Sequence, residues 1–110
     1  MPKFVTIGYG DRHGYDRTPQ AIRDAAHKHD ARLQMAGALI GIAGSPVQVR
    51  NPENAGVETT NAAYMASSLP VAGFAIVEAP SLSDAIDLVS KSPCAVAHGV
   101  VEIWPLTDPS

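Results

Sequence analysis

The sequence predicts an α+β domain in which two helices cover one face of a sheet. Short apolar runs of strand length, such as residues 71–77, alternate with two segments whose apolar residues recur every three or four positions. Nine Gly and nine Pro favour many turns between these elements. At 110 residues the chain is long enough for one hydrophobic core and too short for two.

The N-terminal part is expected to hold one strand and one long helix. Residues 3–9 alternate in polarity as a strand does, and the polar residues 11–17 are predicted to form a loop. The helix should begin at Thr18 and Pro19, because a hydroxyl cap followed by proline at the first helical position is a typical start. It is expected to run to about Ala36.

The apolar side of this first helix is predicted from the spacing of its residues. Positions three and four apart lie on one face of a helix, and here they are Ile22, Ala25, Ala26, His29, Leu33 and Ala36. We expect this face to pack on the sheet. Gly37 should end the helix in a left-handed conformation.

The middle of the chain is predicted to form short strands. Residues 39–43 and 47–50 read as two strands around a Gly-Ser-Pro turn at residues 44–46. Residues 51–56 are expected to form a loop, and residues 58–61 a further short strand.

The C-terminal part predicts a strand, a capped helix and a last strand. Residues 71–77 form the first strand, in which Gly73 is expected to allow close packing of strands. Ser81, with Asp84 three residues later, is typical of a capping box at the start of a helix. The last strand should cover residues 99–104, because Pro105 cannot donate to a ladder.

This order of elements is the split strand–helix–strand pattern of ferredoxin-like folds, elaborated in the middle by a hairpin. The sequence therefore predicts a single domain at residues 1–107 and a short tail at residues 108–110. Because two helices cover only one face of an apolar sheet, the uncovered face should find a partner, and we expect a homodimer.

Composition excludes several classes of partner and indicates a compartment. The net charge is −3 without a Lys/Arg cluster and aromatic residues make up 5% of the chain, so nucleic-acid binding is not expected. The N-terminus has no apolar run of signal-peptide length, and no apolar segment is long enough to span a membrane. A single cysteine, Cys94, suits a reducing compartment, so the sequence predicts a cytoplasmic protein.

Several short motifs together resemble the YCII-related superfamily, in particular its DGPF branch, over nearly the whole chain. The tetrapeptide Asn-Ala-Ala-Tyr at residues 61–64 occupies the slot of the Asp-Gly-Pro-Phe signature, at the same distance from the Gly-Phe pair at residues 73–74. Ser-Pro at 92–93, His-Gly at 98–99 and Val-Glu-Ile-Trp-Pro at 101–105 match later positions. The signature itself is degenerate, with Asn in place of Asp.

The resemblance implies a dimer of ferredoxin-like subunits packed through their sheets, a dimeric α+β barrel, with a cleft between sheet and helix. A histidine on the first helix, paired with an aspartate, is a suspected acid/base dyad in the superfamily. Its slot falls on Ala26 here, and only Arg23, one turn earlier, keeps the accompanying pattern, so the dyad does not carry over. Most members have no assigned reaction, and a few act on small aromatic or halogenated compounds.

Two histidines are the candidate catalytic residues. His29 lies in the predicted apolar stripe, where a partly buried imidazole can serve as a general base or can simply be a hydrogen-bonded core or interface residue. His98 matches a family position just before the last strand and lies four residues after Cys94. That spacing is weak support for a metal half-site or an activated thiolate, and Cys94 among small apolar residues is better interpreted as a small buried hydrophobe.

Candidate ligand-contacting residues come from a polar loop and from the middle of the chain. They are Tyr9, Asp11, Arg50, Asn61 and Tyr64. Loops on a rigid scaffold commonly build binding sites, although Asp11 and Asn61 are also ordinary turn residues. Nothing in the sequence implies a metal or a cofactor.

Three functions remain open at this point. The first is a cofactor-independent enzyme that carries out isomerisation, elimination or hydrolysis on a small organic molecule in the cleft. The second is a non-catalytic, metabolite-binding or regulatory dimer. The third is an assembly module whose only evident property is dimer formation. Fold analogy does not choose between them.

Overall fold

The computed structural model describes residues 1–108, in which a four-stranded antiparallel sheet is the central element. The strands and helices follow in the order β1 (Lys3–Tyr9), α1 (Arg12–Asp16), α2 (Gln20–Met35), β2 (Leu39–Ile42), β3 (Gln48–Arg50), a 3-10 turn (Pro52–Asn54), β4 (Glu58–Thr60), β5 (Val71–Glu78), α3 (Leu82–Val89), α4 (Pro93–Val96) and β6 (Val100–Leu106). Of the tail expected at residues 108–110, residues 109–110 lie outside the described part of the chain.

The strand order of the main sheet is β2-β5-β1-β6, with each neighbouring pair antiparallel. The first and third strands of the split pattern, β1 and β5, are therefore central, and β2 and β6 form the edges. This confirms the predicted α+β class and is compatible with a ferredoxin-like arrangement.

One face of the sheet carries the helices, and we call it the helix face. The register places Phe4 opposite Val77. Both are buried, together with Ala79, which follows β5, and with Ala85 of α3. Thr6 and Gly8 continue this face along β1. The core is thus built from alternate residues of the two central strands under α3, as period-two alternation requires.

The opposite face of the sheet, which we call the open face, is apolar and accessible. Alternation and register assign to it Val5, Ile7, Tyr9, Leu39, Phe74, Ile76, Val100, Glu102, Trp104 and Leu106. Phe74 is 50% exposed and Trp104 is 54% exposed. Because the helices of the described residues pack on the helix face, these side chains stay in contact with solvent in the isolated chain.

The predicted strands at residues 39–43 and 47–50 do not form a hairpin with each other, which corrects that expectation. β2 pairs with β5 in the main sheet, whereas β3 pairs with β4 in a separate two-stranded sheet. The physical reason is that Ile40 and Leu39 find long-range partners on a central strand, so the chain leaves the sheet after Ile42. The elaborated hairpin is therefore β3–β4.

We call residues 44–68, which contain β3 and β4, the arm. All of its residues except Gln48 are exposed. A strand of seven residues is about 23 Å long, whereas the described chain extends 52 Å along its longest axis, so the arm projects from the body.

Two local predictions are corrected by contacts that the sequence alone did not reveal, and one short helix was missed. Residues 11–17, expected to form a loop, contain the short helix α1, whose N-cap Asp11 accepts a hydrogen bond from the Gly14 amide at 2.8 Å. Thr18 does not cap α2, because its hydroxyl donates instead to the Gly14 carbonyl at 2.8 Å, and Pro19 takes the N-cap position. The helix α4 was not predicted at all.

The buried side of α2 is rotated relative to the predicted stripe. Ile22, expected inside, is 46% exposed, whereas Ala26 is 3% exposed. Asp30 and Leu33, four and seven residues after Ala26, are partly buried on the same side. Because α2 packs against α4 as well as near the sheet, its inner side faces both neighbours.

Other local predictions are confirmed. Ser81 caps α3: its hydroxyl accepts from the Asp84 amide at 3.2 Å and donates to the Asp84 carboxylate at 2.9 Å. Gly37 follows α2 with a φ of 109°, in the left-handed region. The last strand, however, continues through Pro105 to Leu106, which is tolerated because β6 is an edge strand.

Across residues 1–108, none of the helices combines the length and the apolar character needed to cross a bilayer.

Candidate functional site

A cleft of ≈ 880 Å³ lies between the helix face of the sheet and the inner side of α2 and α4. Apolar side chains form most of its wall, among them Leu33, Ile40, Ala75 and Val101. Its volume falls within the range of about 300–1,000 Å³ that is typical of small-molecule sites. A cleft between sheet and helix is the location expected from the sequence resemblance.

Two glycines of the central strands give the cleft its shape. A Cβ at Gly8 would lie 2.8 Å from the Cys94 Sγ, so this glycine allows α4 to approach the sheet. A Cβ at Gly73 would lie 2.7 Å from the Gly41 carbonyl oxygen, which confirms that Gly73 serves close packing of strands. Both positions line the cleft, where added methyl groups would also reduce its volume.

Asp30 is the carboxylic acid that α2 presents to the interior of the cleft. Burial raises the pKa of Asp30 above its ordinary value of 3.8, although positive charge on His29 and His27 lowers it in part. A partly buried carboxyl group with a raised pKa exchanges its proton closer to neutrality than an exposed one. Asp30 is thereby suited to donate a proton or a hydrogen bond to a ligand.

Cys94, on α4, also lines the cleft and is partly buried. Burial, with a smaller contribution from the Asp30 carboxylate, raises the pKa of the Cys94 thiol. A thiol held in the protonated form is a poor nucleophile. The interpretation of Cys94 as a small packing residue therefore fits its surroundings better than that of an activated thiolate.

The His29 side chain, on α2, forms a hydrogen bond to α3. Its Nε2 lies 2.6 Å from the Leu88 carbonyl oxygen, and because a carbonyl only accepts, Nε2 carries the proton and donates. Leu88 is in the last turn of α3, where carbonyl groups lack partners within the helix. His29 thus joins α2 to the end of α3 and lies next to Asp30 in the chain.

His98 follows the end of α4 and its side chain is exposed. Its φ of 63° is left-handed, a conformation that costs a residue with a Cβ of the order of 1 kcal/mol. Among the residues described, the cleft lining includes neither His98 nor His29. Residues 1–108 hold no cluster of three or more His, Cys, Asp or Glu side chains placed to bind a metal ion.

The five predicted ligand-contacting residues lie in three different places. Asp11 lines the mouth of the cleft. Tyr9 lies on the open face, where its hydroxyl donates to Glu102 at 3.1 Å. Arg50, Asn61 and Tyr64 lie on the arm, and the Arg50 guanidinium carbon stands 5.7 Å from the centroid of the Tyr64 ring. The tetrapeptide slot of the DGPF signature is therefore part of the arm.

The mouth of the cleft carries an aromatic and cationic group of side chains. Tyr15 of α1 lines the cleft, its hydroxyl lies 2.7 Å from the His27 Nε2, and the Arg23 guanidinium lies 4.9 Å from its ring centroid. A cation over a ring face at this distance holds the ring in place. Arg12 lines the same edge.

Sequence reasoning missed Asp30, although a signal was present. Asp30 lies four residues after Ala26 and three before Leu33, so it shares their face of the helix. A charged residue within an apolar stripe is the pattern that points to a buried functional group. The predicted stripe was centred on Ile22 and His29, and His29 is one position before Asp30 in the sequence.

No family model matches the chain, and no curated protein matches it significantly.

Proposed function

We propose that this chain binds a small, mainly apolar organic molecule in the cleft between sheet and α2, and that Asp30 exchanges a proton with the bound molecule. The observation that carries the proposal is a cleft of ≈ 880 Å³ with apolar walls and a carboxyl group of raised pKa inside it. Apolar walls supply affinity through burial, and a few polar groups fix orientation. The protein would thus be a cofactor-independent acid/base protein of the YCII-related type.

The chemistry of the lining favours a neutral reacting group near Asp30. Asp30 with its proton retained can donate a hydrogen bond to a carbonyl or similar acceptor, and after deprotonation it can act as the base. Thr6, also in the lining, offers a hydroxyl at the sheet side. At the mouth Arg12 and Tyr15 can contact a polar or anionic end of the same molecule.

His29 has a positioning role in this proposal. Its bond to the Leu88 carbonyl fixes α2 against α3, and its positive charge, when present, lowers the pKa of Asp30. His29 and Asp30 are consecutive in the sequence, so a change at His29 would reach the bound molecule through Asp30. The acid/base role expected of His29 would then be exercised indirectly.

We also propose that two copies associate through the open face. It carries few charges: Lys3 and Glu78 form an ion pair at 3.1 Å, and the Glu102 carboxylate accepts a hydrogen bond from the Tyr9 hydroxyl. In a two-fold interface each patch meets its own copy, so a mainly apolar surface with few charges limits like-charge contacts. A homodimer formed in this way would leave the cleft, on the other face, open to ligand.

Binding without turnover is the second candidate function. Two observations favour it: the His29 Nε2 is engaged by a carbonyl, and the Cys94 thiol has a raised pKa. A cleft in which Asp30 is a partly buried carboxyl group can recognise a hydrogen-bonding group without transforming it.

A screen of small aromatic and lactone compounds by thermal shift tests binding, and deuterium incorporation from D₂O into bound compounds tests proton exchange. We expect Asp30→Asn to abolish deuterium incorporation while Asp24→Asn, on the exposed side of the same helix, preserves it. Binding without incorporation in the unaltered protein would select the second function. If no compound raises the melting temperature, the cleft proposal fails.

A further inference from the structure

We propose that the arm, residues 44–68, is a clasp that packs against a second copy of this chain and completes the dimer interface. The inference rests on the proposed association through the open face and adds a second contact surface to it. Within the described chain, the apolar side chains of the arm are the most consistently exposed to solvent.

The first observation is exposed apolar area on the arm. Val47 is 55% exposed, Val49 66%, Val57 67%, Tyr64 80% and Met65 54%. A two-stranded hairpin alone is at best marginally stable in water, and within the described residues β3 and β4 hydrogen-bond only with each other as strands. Covering these side chains would stabilise both the hairpin and the assembly.

The second observation is that the arm and the open face form one continuous surface. The returning part of the arm, residues 65–68, and Leu69 after it border a depression together with Tyr9, Val100 and Glu102. These three residues belong to the open face and lie at the end of the sheet from which the arm leaves. A partner seated on the open face would therefore meet the base of the arm.

The third observation is the limited size of the sheet. The strands β1 and β6 have 7 residues, β5 has 8 and β2 has 4, so at about 3.3 Å per residue and about 4.8 Å per strand the sheet has a flat area of roughly 410 Å². Stable interfaces bury about 800 Å² of accessible surface on each partner. The flat area of the open face is about half of this value, and the exposed side chains of the arm supply further surface beside it.

Charge selects a second copy as the occupant. The arm carries one Arg and two Glu, and Arg50 is already stacked on Tyr64. Neither the arm nor the open face therefore presents the cluster of cations that a phosphate backbone or an anionic membrane surface needs. A mainly apolar surface with few charges that meets its own copy fits both the arm and the open face.

Sedimentation equilibrium of the full chain and of four variants tests the inference. We expect the unaltered protein to be a dimer of 11.5 kDa chains at micromolar concentration. Val49→Asp and, separately, Tyr64→Asp should raise the dimer dissociation constant at least tenfold, and Trp104→Asp on the open face should do the same. Leu82→Asp, at an exposed apolar position of α3, is the matched control and should leave it unchanged.

The outcomes separate this inference from the proposals on which it rests. A dimer weakened by Trp104→Asp but not by Val49→Asp or Tyr64→Asp overturns the clasp and keeps the open-face interface. A monomeric unaltered protein overturns both, whereas ligand binding in the cleft is decided by its own assay. If an arm variant loses its circular dichroism signal, isotope-filtered NOE spectra of a mixed-labelled dimer decide: the absence of contacts from the Val49 and Val57 methyl groups to the other copy refutes the clasp.

Discussion

Replacing Gly8 by alanine tests how closely α4 is docked on the sheet. The added Cβ would stand 2.8 Å from the Cys94 Sγ and 3.3 Å from its Cβ. Non-bonded heavy atoms prefer about 3.5–4.0 Å, so the chain must open by several tenths of an ångström or the Cys94 side chain must leave its position. Overpacking of this kind costs about 1–3 kcal/mol.

The expected result is a fall in melting temperature of about 4–12 °C, because about 1 kcal/mol corresponds to about 4 °C for a domain of this size. Melting should be followed at one fixed protein concentration, since association shifts the midpoint. Gly41→Ala is the matched control: within the described residues, its Cβ would meet no atom closer than 4 Å. Gly41→Ala should be neutral or slightly stabilising.

A double-mutant cycle identifies the cause. In a Cys94→Ala background the sulfur atom is gone, so Gly8→Ala should cost at least about 1 kcal/mol less than in the unaltered chain. The tight Cβ–Cβ approach remains, and some destabilisation should persist. Equal costs in the two backgrounds, or a Gly8→Ala protein that melts like the unaltered one, would refute the close docking of α4.

Three further predictions follow from the site and from the helix ends. Because the pKa of Asp30 is raised on folding, the folded chain binds this proton more tightly than the unfolded chain, and the contribution of Asp30 to stability falls as pH rises from about 3.8 towards the raised value. Asp30→Asn should therefore be more stable than the unaltered protein at neutral pH, and the difference should vanish in acid; thermal melts across pH check it, and a constant difference contradicts it. His29→Ala should lower the free energy of unfolding by about 1 kcal/mol through loss of the bond to the Leu88 carbonyl, with faster amide hydrogen exchange at the end of α3 as the specific sign. Gly37→Ala should cost about 1 kcal/mol in urea unfolding, because the φ of 109° is unfavourable for alanine, and an unchanged midpoint would argue against the cap.

The parts of the fold that were predictable from sequence are those set by local rules. The limits of β1, the Ser81 cap and the Gly37 stop follow from alternation, side-chain capping and left-handed preference, which act within a few residues. The partner of β2 was not predictable in this way, because its ladder joins residues far apart in the chain. The same holds for α4, whose short length leaves little periodicity to detect.

The site was harder to predict than the fold, for a related reason. A helical repeat determines which residues share a face of the helix, but it does not determine well where that face points in the folded chain. Rotating the inner face of α2 by one residue replaces His29 with Asp30. The direction of α2 depends on α4 beside it. Asp11 lies at the cleft because it follows the end of β1. The arm holds Arg50, Asn61 and Tyr64, because the chain leaves the sheet after β2.

Pro105, within the outer strand β6, bears on how this protein can assemble. An edge strand is a template for another strand, and rows of chains can grow from it without limit. Pro105 has no N–H to offer an incoming strand, and at the other edge β2 has only four residues. Growth along the hydrogen-bonding direction is thereby hindered at both borders of the sheet, whereas the open face remains accessible for the proposed pairing of two copies.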